Sequence, residues 1–147
     1  MYELTIHDSA SDDLEEIIAT DEDVGLKIFR LVEELQDDQD LLDRLSQRDY
    51  GGWPKHPQPR NAFFNTGMWG KAQGAQMNLW RLRFFDREIS GYRLIYAFFP
   101  PQSYILLAIA KKAEVENLND ENFNYELCHP ISKRIRKDYE KLAEDFW

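Results

Sequence analysis

This sequence predicts one α+β domain: an antiparallel sheet of about four strands, with an N-terminal helical hairpin packed on it and a C-terminal helix. Three observations carry that expectation. A short alternating segment precedes two stretches of helical periodicity, three strand-like segments then follow one another closely, and an amphipathic stretch ends the order.

Residues 2–7 set Tyr2, Leu4 and Ile6 against Glu3 and Thr5, the alternation of an edge or outer strand. Asp8-Ser9 offers a helix cap, with acidic residues in the first turn where the macrodipole favours them. Leu14, Ile17 and Ile18 supply the apolar stripe of that first helix. A second begins near residues 21–23 and places Val24, Ile28, Leu31, Val32 and Leu35 on one face. Leu41, Leu42 and Leu45 either prolong it or form a third short helix after a polar break at 36–40.

Residues 50–76 change character. Gly51, Gly52, Pro54, Pro57, Pro59, Gly67, Gly70 and Gly74 exclude a long regular element. Trp53, Phe63, Phe64, Met68 and Trp69 are nevertheless too apolar for an idle linker. The stretch is expected to be an ordered loop insertion that folds back on the domain, and loops of that length are uncommon unless functional. Its aromatics either pin it to the core or stack on bases, with packing favoured.

Three strands are expected next, over residues 78–85 (NLWRLRFF), 92–99 (YRLIYAFF) and 104–110 (YILLAIA). The connections at 86–91 and 100–103 are too short for a parallel crossover, so the three form an antiparallel meander. Ile135, Tyr139, Leu142 and Phe146 then mark a terminal helix within an extension near 128–147. The 147 residues suit a single domain.

Composition narrows the function classes. Apolar residues make up 43% of the chain, enough to fill a core and to exclude disorder throughout. Cys128 is the one cysteine, so no intramolecular disulfide forms, and a reducing, cytoplasmic compartment is expected. The first fifteen residues are acidic and lack the apolar run of a signal peptide; the longest apolar runs, 94–99 and 104–110, are too short for a bilayer, and no membrane partner is expected. Neither a phosphate-binding glycine loop nor paired Cys/His metal spacing occurs, so no metal and no cofactor is expected. Net charge is −9, which opposes nucleic-acid binding by the chain as a whole. The charge is uneven, however. Residues 1–49 hold 16 acidic and 4 basic side chains, whereas residues 50–147 hold 11 and 14, so a local basic face is available. The acidic run at 8–49 reads as a solvated helical face, or else as a dock for a basic partner segment.

The runs Trp80-Arg-Leu-Arg-Phe, Gly91-Tyr-Arg-Leu-Ile-Tyr and Ile105-Leu-Leu-Ala-Ile-Ala-Lys-Lys, in this order, resemble the RelE/ParE superfamily of bacterial toxins. The resemblance is strongest over residues 78–112 and looser over the β-α-α start. It implies a toxin silenced by a cognate antitoxin, in a hetero-oligomer with it. A RelE-like member is an endoribonuclease that cleaves messenger RNA on the ribosome without a metal. A ParE-like member inhibits DNA gyrase by binding. A third reading is a non-toxic interaction module that keeps the fold with a decayed site.

RNA cleavage by 2′-hydroxyl attack needs a group to take the 2′-proton, cations to hold charge on the phosphorane, and an acid for the leaving 5′-oxygen. Arg81 and Arg83 share one strand face, about 7 Å apart along it. By resemblance they stand where ribonuclease members carry catalytic basic residues, Arg93 matches the phosphate-stabilising arginine, and Lys112 matches a basic residue at the end of the last core strand. Arg81, Arg83, Arg93 and Lys112 are thus the catalytic set, with Lys111 and Trp80 as RNA-binding residues. The same arginines also suit the solvent face of an ordinary amphipathic strand. For the acid and base, the sequence leaves Glu114, Glu116, Tyr125 and His129 open, with less in favour of His7 and His56.

Overall fold

The computed structural model describes residues 1–113 and 121–146. In chain order the elements are β1 (Glu3–Ile6), α1 (Asp8–Thr20), α2 (Glu22–Gln36), α3 (Gln39–Arg44), β2 (Gly51–Trp53) and β3 (His56–Gln58). There follow β4 (Phe64–Met68), α4 (Gly70–Gly74), β5 (Leu79–Phe84), β6 (Tyr92–Phe99), β7 (Ser103–Lys111) and α5 (Pro130–Phe146). The class is α+β. The main sheet has five strands in the order β1-β7-β6-β5-β4, and β2 and β3 form a separate hairpin.

The meander is present in the expected places: β5 pairs antiparallel with β6, and β6 with β7. Two features correct the expectation of four antiparallel strands. β1 pairs in parallel with β7, Leu4 opposite Tyr104, so the sheet is mixed. Four helices and five strands separate these two in sequence, and alternation within a strand says nothing of its direction. The second correction is β4, an edge strand beside β5. Asn65, Thr66 and Gly67 interrupt any apolar alternation there and hide it from a pattern search.

Helix starts follow side-chain chemistry. The cap of α1 is His7, whose Nδ1 accepts from the Ser9 N–H at 3.0 Å, and not Asp8-Ser9, which already lie within or at the first turn. Asp21 caps α2, and Asp38 caps α3 by accepting from the N–H groups of Asp40 and Leu41, which makes α3 a separate helix.

Both faces of the sheet are covered. Leu14, Ile28, Val32, Leu35 and Leu42 pack on Trp80, Leu82, Phe84, Leu94 and Tyr96 on one side. On the other, Ile135 and Tyr139 of α5 meet Leu79, Ile95, Ala97, Phe99 and Leu107, together with Trp69 and Phe123. This second layer explains why 92–99 and 104–110 read as nearly continuous apolar runs: strands buried on both sides lose the polar alternate. Arg134 of α5 grips Asp13 of α1 through two 2.8 Å hydrogen bonds at the sheet's edge. No helix among the described residues is long and apolar enough to cross a membrane.

Candidate functional site

Alternation along β5 sorts its side chains between the two layers. Trp80, Leu82 and Phe84 enter the core beneath α1 and α2, while Arg81 and Arg83 take the α5 side. Arg93 joins them there, since its register partner Ala110 belongs to the α5-side core. One step beyond the Leu82–Leu94 pair, Arg83 falls opposite Arg93.

The β4 edge fixes the first of these arginines. Gly67 lies across from Arg81, and a Cβ on Gly67 would come within 3.0 Å of the Arg81 Nη2, so the guanidinium lies over a bare stretch of backbone. Asn65, two residues earlier on the same strand, accepts from Arg81 Nη1 through its Oδ1. Arg93 is buried, with 8% of its surface exposed, and its Nη1 donates to the carbonyls of Ser90 (2.7 Å) and Tyr92 (3.0 Å). Arg83 keeps a buried Nε–H with no hydrogen-bond partner among the described residues. Among the described residues none of the three forms an ion pair. Three guanidinium groups this close repel one another, a repulsion that a bound anion would relieve.

The Tyr125 hydroxyl lies within electrostatic reach of Arg93, Arg81 and Arg83. Burial pushes the phenol above its ordinary value, while Arg93 and Arg81 pull it back, so at neutral pH it is a protonated donor. Burial likewise holds the Arg93 guanidinium below its ordinary value; Tyr125 opposes that shift and Arg83 and Arg81 add to it. Tyr125 itself adopts a left-handed backbone conformation, φ +65°. It is pinned by the Trp69 indole, which donates to its carbonyl at 3.0 Å, and by the Phe123 ring at 4.6 Å. A non-glycine residue kept in that region by surrounding packing is a recurrent feature of functional sites. A cleft of about 340 Å³ opens beside Arg81 and Tyr125, lined also by Met68, Asn124 and the ion-paired Lys71 and Glu126.

The remaining candidates fall elsewhere. Lys112 follows β7 at its exposed end, in an isolated bridge with Phe123, two residues before Tyr125. Lys111 pairs with Tyr92 and shares its side of the sheet, facing a cavity with Asp13 and Glu16 of α1 and away from the arginines. Trp80 requires a correction: it is 4% exposed, lies in the α1/α2 core and donates its indole N–H to Asn78, so it offers no face to RNA. Strand alternation puts it opposite Arg81 rather than beside it. His7 and His129 both commit Nδ1 to a backbone N–H at a helix start. His56 lies across the β2–β3 hairpin from Trp53. Glu114 and Glu116 lie outside the described residues. Of the open acid–base candidates among the described residues, only Tyr125 is placed against the arginines.

Sequence reasoning missed Asn65 and Gly67. One signal was available: residues 50–85 contain Lys55, Arg60, Lys71, Arg81 and Arg83 and no acidic residue at all, an acid-free window in a strongly acidic chain. Comparison with protein-family models, with curated proteins and with solved structures finds no match for this chain.

Proposed function

We propose that this chain is a RelE-like toxin of a toxin–antitoxin pair, an endoribonuclease that cleaves messenger RNA at the ribosome without a metal. The observation that carries the reading is the Tyr125 hydroxyl set among Arg81, Arg83 and Arg93, with no carboxylate paired to them among the described residues.

In this mechanism the 2′-oxygen attacks phosphorus and gives up its proton to water, and the bond to the 5′-oxygen breaks. Arg81 and Arg83 hold the non-bridging oxygens as charge grows on the phosphorane. Tyr125 gives its proton to the departing 5′-oxygen, leaving a 5′-hydroxyl and a 2′,3′-cyclic phosphate. Arg93, too buried to clamp the substrate freely, orients the phenol and steadies the phenolate formed. Acid catalysis of this kind contributes on the order of 10²–10⁴ in rate.

The test is expression without an antitoxin. Growth arrest with fragmented transcripts is expected, and Arg81→Ala and Tyr125→Phe should each relieve the arrest while still binding the antitoxin. Absence of arrest overturns the reading. So does arrest that persists in both variants with intact transcripts and a DNA-damage response, which is the outcome for a ParE-like gyrase inhibitor.

A further inference from the structure

Beside the arginines, the β2–β3 hairpin encloses a second cavity of about 230 Å³ whose lining includes Asp49, Tyr50, Trp53, Asn65 and Arg81. The hairpin is fixed to the sheet, not hung from it. Gly51 has φ +100° and approaches β4 so closely that a Cβ would sit 2.0 Å from the Phe64 carbonyl oxygen. The Thr66 N–H donates to the Tyr50 carbonyl at 3.0 Å. The Asn65 amide joins the two parts of the cavity, its Nδ2 donating to the Gly52 carbonyl at 3.2 Å and its Oδ1 accepting from Arg81.

Within this rigid frame one large aromatic is left in solvent. Trp53 is 71% exposed and has no ring neighbour among the described residues. Tyr50, by contrast, is held between Arg44 and Phe64 and forms a fixed wall. The surrounding chain carries the right charge for a polyanion, because the acid-free window of residues 50–85 contains both the hairpin and β5. An exposed indole beside a preorganised cation is the arrangement that stacks an unpaired base while its phosphate is held.

We propose that this cavity is a base-binding subsite for the nucleotide next to the phosphate on Arg81. Trp53 stacks on the base, and the Asp49 carboxylate accepts from its amino group, as carboxylates do from cytosine N4. Adenine, guanine and cytosine carry such a group; uracil does not and is disfavoured. The proposal rests on the ribonuclease reading, since Arg81 serves both.

The test measures binding of short, fully 2′-O-methylated oligonucleotides of adenine, cytosine or uracil to the full chain by fluorescence anisotropy. The methyl group blocks cleavage, so binding is read alone. Trp53→Ala should weaken binding of the adenine and cytosine probes about tenfold or more, and Trp53→Phe by less, since it keeps a π-face. Asp49→Leu, which removes the acceptor, should raise uracil binding relative to the other two. Equal binding by the wild type and Trp53→Ala overturns the subsite while leaving the ribonuclease reading intact. An unchanged preference in Asp49→Leu overturns the amino-group contact. If the wild type binds none of the probes, the ribonuclease reading and the subsite fall together.

Discussion

The indole of Trp69 and the main-chain carbonyl of Tyr125 are hydrogen-bonded at 3.0 Å across 56 residues of sequence. The long excursion after α3 thus positions Tyr125, the proton donor of the proposed mechanism. Trp69→Phe keeps a ring there but removes the donor. It should cost about 1–3 kcal/mol of stability, because a part-buried carbonyl is left unpaired, and should slow cleavage by freeing the phenol. Urea denaturation and single-turnover cleavage measure the two effects.

Gly67→Ala tests the bare backbone under Arg81. The new methyl meets only the end of a flexible side chain at 3.0 Å, so the stability change should stay within about 1 kcal/mol. The guanidinium must shift and strain its bond to Asn65, so cleavage should fall far more than stability does. Equal losses in both would mean that the glycine serves the sheet and not the arginine.

Arg93 and Arg81 should separate under the same substitution. Arg81 is half-buried and its loss unpairs only the Asn65 Oδ1, so Arg81→Ala should cost about 1 kcal/mol. Arg93→Ala leaves the part-buried Ser90 and Tyr92 carbonyls without their shared donor, and should destabilise the fold by roughly 2–4 kcal/mol. Thermal unfolding of the two variants beside the wild type decides the matter.

Alkaline pH should weaken the fold through two buried phenols. Burial raises the Tyr104 hydroxyl to about 12 and carries Tyr96 well above its ordinary value. Below pH 10 both states hold these protons. From about pH 10 to 12 the unfolded chain loses them and the folded chain does not, so stability falls as pH rises through that window. Tyr104→Phe should flatten the decline, as read from urea midpoints at successive pH values.

The parts of the fold legible in sequence were those governed by local periodicity. Val24 to Leu35 and Ile135 to Phe146 announce helices, and the short 86–91 and 100–103 connections force the antiparallel meander. What periodicity does not encode is pairing over distance, so the parallel β1–β7 contact and β4 were hidden. The same limit applied to the site. A period of two placed Arg81 and Arg83 on one face, yet the same rule sends Trp80 to the other. Tyr125 is brought to the arginines by its strained turn and its contacts with Trp69 and Phe123, none of which a linear pattern displays.

The arginines sit on β5 and β6, whereas Tyr125 and α5 come later in the chain. During synthesis from the N-terminus, the cations therefore emerge before the proton donor and before the helix that covers their side of the sheet. On the proposed ribonuclease reading, a partly made chain holds the cations that would grip RNA without the phenol that would cut it, so the order of residues in the chain separates binding from cleavage in time.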